Sequence, residues 1–335
     1  MEDKKKYFRI GFVGAGTHAN NMLYPSLTFL DDFEVERVAV CDLSEEKARK
    51  VASNFGVAHV YTNHQEMFAK EKLDGVVVCI NAKGHPPVVR DALQADLDVF
   101  CEKPTSITVE ESEELAELSR KTGRFVMVDH QKRRATAYQK ALEIVKSPSF
   151  GKVTMVEAKM HGHIYDNLFN CMMEWQIHNI DIVRAFAGDV KEIVARMCRL
   201  ADNRASIAIL LTFENGAVAT LNWGSEAGGK GRFCERIEVV GSNDEAVIVE
   251  NVRHVIHYKE DESKEWAPNW VPILKNQTTV IDGYVGNLRE FMNCVLERRQ
   301  PVPNIEDEVR ALRVIYAIAE QLGIPAEWTI TIGDR

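Results

Sequence analysis

A lysine at the carboxyl end of a parallel strand, in a domain built to hold a dinucleotide, faces the cofactor, and Lys103 occupies such a position. It belongs to Glu102-Lys103-Pro104, directly after the apolar run Asp98-Val99-Phe100-Cys101. In open α/β sheets the ligand crevice lies outside the carboxyl ends of the strands. Upstream, Gly14-Ala15-Gly16-Thr17-His18-Ala19 fits G-x-G-x-x-G/A between a strand and a helix, the context that pattern requires. Gly14 permits the tight turn, Gly16 leaves room for a pyrophosphate, and Ala19 is the small residue where helix packs on strand. The amides at the helix start, around Thr17 and His18, would hold the phosphates. Asp42 ends the second strand about twenty residues further on, where a carboxylate accepts both ribose hydroxyls and repels a 2′-phosphate. Leu43 adds no positive charge, so NAD is expected in preference to NADP.

A second set of reactive side chains lies in one helix, expected over Glu174 to Phe186. With Glu174 at zero, His178 falls at about 40° and Asp181 at about −20° around an α-helix. They form a thin polar strip, while Trp175, Ile177, Ile180, Ile182, Val183 and Phe186 cover most of the remaining circumference. Such a helix is expected to be buried, with its strip facing a cavity. An ordinary amphipathic helix with a Glu/His pair on its wet face is the other reading. Removal of hydride from a secondary alcohol needs a base for the hydroxyl proton, and a carboxylate-steered His near a Lys suits that work. His161-Gly162-His163 puts two imidazoles on one face of a strand. No third ligand follows at metal spacing, so no metal is expected and substrate hydrogen bonding is the better use. Lys159, Tyr165 and Asp166 lie in the same region, and Trp266 and Trp270, with Pro268 and Pro272, are placed in a loop.

The elements that must position these residues change character near residue 130. Before it, strands at Arg9–Val13, Glu34–Cys41, Gly75–Ile80, Val99–Cys101 and Phe125–Val128 alternate with helices, the first over Ala19 to Leu30. Repeated βα units of this length predict a doubly wound parallel sheet. After it, a helix over Ala135–Lys146 leads into mostly strand segments, with a tight turn at Glu214-Asn215-Gly216. The fold class is therefore α/β, a Rossmann domain over 1–130 followed by an α+β domain over 131–335 with an antiparallel-rich sheet. Helices near Tyr284–Glu297 and Glu306–Leu322 close the chain and could pack back on the first domain. Two domains suit 335 residues with 45% hydrophobic and 27% charged composition. A net charge of −9 argues against nucleic acid or an anionic membrane as partner. No apolar run reaches the length of about 18 residues that spans a bilayer. The seven cysteines form no C-x-x-C, so free thiols and a cytoplasmic location are expected.

Taken in order, these motifs resemble the Gfo/Idh/MocA family of oxidoreductases over nearly the whole chain. Asp74 to Pro104 is similar to that family's strand, His-containing loop, helix and Glu-Lys-Pro, with His85 at the loop histidine. Gln131-Lys132-Arg133 resembles its Asn-x-Arg, and Glu235 to Ile248 its late strand-Gly-strand. The resemblance implies an open sheet in the second domain that supports homodimers or homotetramers. It also implies that Lys103 hydrogen-bonds the reacting oxygen, His178 acts as general acid/base and Glu174 orients it. Asn81, His85 and Glu102 would join the cofactor side, and Arg133, His161, His163, Trp175 and Asp181 the substrate side. Three departures stand out: Glu174-Trp175-Gln176-Ile177-His178 replaces Asp-x-Gly-x-His, Asn170-Cys171-Met172-Met173 replaces a Gly-rich approach, and Asn81-Ala82-Lys83 replaces Thr-Pro-Asn.

The leading expectation is an NAD-dependent dehydrogenase acting on a secondary hydroxyl of a sugar, inositol or related polyol. A glycoside hydrolase or lyase that oxidises its sugar transiently is one alternative, and a non-catalytic NAD or sugar sensor is another.

Overall fold

The structure, a computed structural model, describes residues 4–162, 164–224, 234–269, 271 and 277–330. His163, Trp270 and Pro272 lie outside the described residues. The chain divides into two compact units. The first takes residues up to Gln131 together with Gly283–Val309, and the second takes Lys132–Asp282 with Arg310–Ile330.

In the first unit β1 (Lys6–Val13), β2 (Phe33–Cys41), β3 (His59–Tyr61), β4 (Gly75–Val78), β5 (Asp98–Cys101) and β6 (Val126–Val128) form one sheet. All its pairings are parallel, in the order β3-β2-β1-β4-β5-β6. That is the dinucleotide-binding order, with its crevice where the order reverses between β1 and β4. The Gly75–Val78 run is fully buried, as a strand covered on both faces must be. Helix Glu45–Phe55 starts at Ser44, whose side chain accepts from the Lys47 amide, and stops at Gly56 in the left-handed region. β3 and helix His64–Lys70 were not expected; three strand residues are too few to show a period.

The first helix is a correction. Instead of one helix over Ala19–Leu30, the chain makes a π turn over Ala19–Leu23, one α turn over Tyr24–Ser26 and a 3-10 turn over Leu27–Phe29. Pro25 has no N–H to give to the preceding turn, so the regular ladder is not continued across it.

Segment Gly283–Val309 completes the first unit. Phe291, on helix Tyr284–Glu297, sets its ring 6.1, 5.7 and 6.0 Å from those of Phe8, Phe100 and Phe125. A Cβ on Gly75 would come within 2.7 Å of the Phe291 ring. The Val128 amide donates to the Pro303 carbonyl at 3.3 Å.

The second unit carries β7 (Val153–His161), β8 (Val190–Ala201), β9 (Arg204–Phe213), β10 (Val218–Gly224), β11 (Cys234–Gly241), β12 (Glu245–Glu250), β13 (His254–Lys259) and β14 (Glu262–Trp266). Their order is β14-β13-β12-β11-β7-β10-β9-β8, antiparallel except for β7 with β10. β9 alternates exposed and buried residues almost without exception, so one face of the sheet is covered and the other open. Helix Ile177–Ala187 packs on β7, and helix Thr136–Val145 packs on β12 and β13. Trp266 ends β14 and does not lie in a loop; the Lys140 ammonium stands 5.2 Å from its ring centroid.

Candidate active site

Four residues that follow parallel strands are tied to the strand ends beside them. The amides of Gly14, Cys79, Glu102 and Asp129 donate to the carbonyls of Cys41, Val13, Val78 and Cys101, at 2.8, 2.9, 2.9 and 2.8 Å. Side chains in this row are therefore held by the sheet itself. At Gly14 φ is +119°, and a Cβ would lie 2.0 Å from the Cys79 carbonyl oxygen, so only glycine fits. At Gly16 a Cβ would meet nothing within 4 Å, which leaves an open approach to the backbone. The turn is held from below. Asn20 Nδ2 donates to the carbonyls of Ala15 and Gly16 at 2.9 and 2.8 Å, and the Tyr24 hydroxyl donates to that of Gly14 at 3.3 Å.

Asp42 stands at the end of β2, and its carboxylate accepts the amides of Ala15 and Ser44, both at 2.8 Å. A carboxylate offers about four acceptor directions, so two bonds leave capacity for ribose hydroxyls. An open glycine turn with an acid at the next strand end fits a dinucleotide.

Around Glu102-Lys103-Pro104 the sheet end is reinforced by buried polar contacts. His85 is 1% exposed, and its Nδ1 lies 2.8 Å from the Pro104 carbonyl, an acceptor only, so Nδ1 carries the proton. The His85 Nε2 then accepts the Ile80 amide at 3.4 Å, joining the loop after β4 to the loop after β5. Asn81 accepts the Lys83 amide at 3.1 Å and caps the short 3-10 turn Ala82–Gly84. Glu308, fully buried, accepts from the Thr105 amide at 3.2 Å and meets His130 Nε2 at 2.6 Å. His18 Nε2 lies 2.8 Å from Glu102 Oε1, and the Lys103 amide donates to Glu102 Oε2 at 3.2 Å. The His18 ring stands edge-on to Tyr284, with centroids 5.6 Å apart.

In the second unit the helix with the acid/base strip begins with a π turn over Met172–Gln176 and continues as α-helix over Ile177–Ala187. The i→i+5 bonding of that turn widens it, so the uniform 100° spacing expected from Glu174 to His178 does not hold. Glu174, His178 and Asp181 are 4, 7 and 1% exposed, as expected of a buried helix. Asp181 takes a two-pronged bond from the Arg133 guanidinium, at 2.8 Å from Nε and 2.6 Å from Nη2. The two residues offered separately for substrate thus form one buried ion pair that joins the helix to the turn Gln131–Arg134.

Trp175 meets His178 edge-on, with ring centroids 6.5 Å apart, and lies 5.9 Å from the Lys132 ammonium. A Cβ on Gly162 would lie 2.3 Å from the Trp175 indole nitrogen, and one on Gly224 would lie 2.9 Å from His161 Nδ1. The ends of β7 and β10 therefore pack closely with these rings. Lys132 and the Tyr138 hydroxyl both bond the buried Glu235 at the start of β11. Burial and the Glu235 charge push the Tyr138 phenol well above its ordinary value, keeping it a proton donor.

Comparison with known proteins matches residues 8–130 to the model described as the oxidoreductase family, NAD-binding Rossmann fold. Residues 138–247 match the model of the GFO/IDH/MocA C-terminal domain. The chain belongs to the Gfo/Idh/MocA oxidoreductase family. This Gfo/Idh/MocA protein is 25% identical to the myo-inositol 2-dehydrogenase of Thermotoga maritima, over 94% of its own length and 96% of that enzyme's. It is 31% identical to the D-glucoside 3-dehydrogenase of Escherichia coli over 45% of its length and 42% of that enzyme's. Its fold matches a dehydrogenase from Chromobacterium violaceum at TM-score 0.86 and 22% identity, across 95% of this chain and 96% of that one. An Agrobacterium radiobacter oxidoreductase solved with NAD+, L-tartaric acid and magnesium matches at TM-score 0.81 and 17% identity, across 94% and 96%.

Sequence reasoning passed over several residues that pack beside the candidate site residues of this Gfo/Idh/MocA oxidoreductase. Asp129 directly follows β6 as Glu102 directly follows β5, so the strand-end rule that selects Glu102-Lys103 also reaches it. Glu235, Tyr138 and Asn287 carry no such signal, because only tertiary packing brings them beside Lys132 and Asp129.

Proposed function

We propose that this protein is an NAD-linked dehydrogenase that oxidises a secondary hydroxyl of a sugar, inositol or related polyol. The observation that carries the reading is the row of strand ends in the first unit. The open glycine turn, Asp42 and Lys103 share the carboxyl edge of one parallel sheet. When bound there, NAD supplies the hydride acceptor. Lys103 hydrogen-bonds the substrate oxygen and stabilises charge on it. His178 takes the hydroxyl proton, and Glu174 orients the imidazole. Trp175, Arg133, Asp181, His161 and His163 are proposed for the substrate side, with Arg133 and Asp181 acting as a pair. The names of the inositol and glucoside dehydrogenases among its relatives support a polyol or sugar substrate.

The Asp42 carboxylate supports NAD over NADP, since a 2′-phosphate would meet a negative charge there. Assembly as a homodimer or homotetramer through the open face of the second sheet is also proposed.

The experiment is a panel of inositols, aldoses and glycosides incubated with NAD, following absorbance of the reduced nicotinamide. Lys103→Met and His178→Ala should each lower turnover by about 10²- to 10⁴-fold while NAD binding survives. Near-wild-type turnover in either variant overturns the role given to that residue.

A further inference from the structure

Asp129 has no task in the reaction as proposed, yet it stands at the same sheet edge as Lys103. Its carboxyl group is 1% exposed, and Asn287 Nδ2 donates to Oδ1 at 2.7 Å. The other oxygen, Oδ2, is buried and accepts no hydrogen bond from the described residues. The adjacent carboxyl group is that of Glu102, itself 7% exposed. His18, Glu102 and Asp129 each bring one polar atom within 4.8 Å of the others. Glu102 Oε2 accepts the Lys103 amide at 3.2 Å, while Oε1, with His18 Nε2 2.8 Å away as an ion-pair partner, is buried without a hydrogen bond among the described residues. Two carboxylates buried this close cannot both ionise without strong repulsion, and one shared proton removes it.

We propose that Asp129 is carried as the neutral acid and donates its proton to the Glu102 carboxylate, which makes it a positioning residue for the cofactor turn, acting through His18. The chain runs from Asn287 through Asp129 and Glu102 to His18, whose side chain is 42% exposed in the glycine turn. With the proton in place the pair holds a single negative charge facing His18 and Lys103. Without it, a second negative charge stands beside the turn that is to receive an anionic pyrophosphate.

The surroundings agree. Burial first, and then the Glu102 charge, push the Asp129 carboxyl well above its ordinary range, against the opposing pull of Asn287 and Lys103. Burial acts the same way on Glu102, but His18, the bond from Asp129 and Lys103 outweigh it and hold that group below its ordinary range. Cys79 and Cys101 also face the pair, and burial keeps their thiols well above the usual value and neutral. The linkage has a definite sign. A carboxyl whose folded value is raised contributes fully below its unfolded value, and the contribution is lost as pH rises through the folded value.

The inference rests on the proposed NAD site, so its test includes one measurement that needs no cofactor. Carbon NMR of protein labelled at the aspartate carboxyl carbons should show one neutral carboxyl group at neutral pH, absent in Asp129→Asn. If every aspartate is ionised there, the proposal falls, whether or not any variant folds. By calorimetric titration with NAD, Asp129→Asn should stay within about twofold of wild type, because its amide still donates to Glu102. Asp129→Leu, which donates nothing, should bind roughly tenfold more weakly. The wild type should lose NAD affinity on the alkaline side, and Asp129→Asn should lose less of it. An identical alkaline limb in both proteins, or a stoichiometric divalent cation whose chelation weakens NAD binding, overturns the shared proton.

Discussion

At the residue scale, the cofactor turn is specified by a few contacts with separable tasks. Gly14 is required by a backbone carbonyl 2.0 Å from where a Cβ would sit, whereas Gly16 is open. Asp42 both accepts the Ala15 amide, which steadies the turn, and holds a negative charge at the end of β2. Those two effects predict a mixed phenotype for Asp42→Ala. Discrimination between NAD and NADP, read as the ratio of kcat/KM values, should fall by about tenfold or more as the repulsion disappears. NAD affinity should also drop, because the Ala15 and Ser44 amides lose their acceptor. A ratio unchanged from wild type would mean that cofactor choice is made elsewhere.

At the element scale, helices that looked regular in the sequence turned out segmented. Pro25 divides the helix after the glycine turn, and a π turn precedes the α-helical stretch that bears His178. Neither departure follows from hydrophobic spacing, since the apolar residues would suit one uninterrupted helix. Most strands of the second unit's sheet were legible in the sequence, but β13, β14 and the parallel pairing of β7 with β10 were not. The sheet's open face carries Val194, Leu210 and Val218 at 47, 46 and 39% exposure, with Val194 directly opposite Leu210. If copies of the chain associate there, Leu210→Asp should shift the mass measured by light scattering toward the monomer. Its thermal melt should show little intrinsic change, since exposed substitutions usually lie within about 0.5 kcal/mol. A wild-type protein that is monomeric at micromolar concentration would rule the interface out.

At the scale of the whole molecule, the chain leaves the first unit after Gln131 and returns to it at Gly283. The returning segment supplies Phe291 to the aromatic cluster of Phe8, Phe100 and Phe125, and Glu308 to Thr105 and His130. Phe291→Ala should therefore destabilise the nucleotide-binding unit by about 3–5 kcal/mol, although residue 291 is far from it in sequence. Denaturant melts give the loss, and added NAD should restore part of it by binding only the folded unit. A loss below about 1 kcal/mol would show that the cluster tolerates the cavity.

The sequence by itself determined the class of fold and where its chemistry begins. β-branched runs, capped helices and glycine turns are local signals, and residues at strand ends inherit their position from them. That is why Gly14, Asp42 and Lys103 could be read without coordinates. Pairing between distant segments was decided only in the folded chain. Arg133 closes on Asp181, Lys132 and Tyr138 on Glu235, and Asn287 on Asp129. A buried charge or carboxyl group needs a partner wherever the fold can bring one. No periodicity in the sequence records which partner that will be.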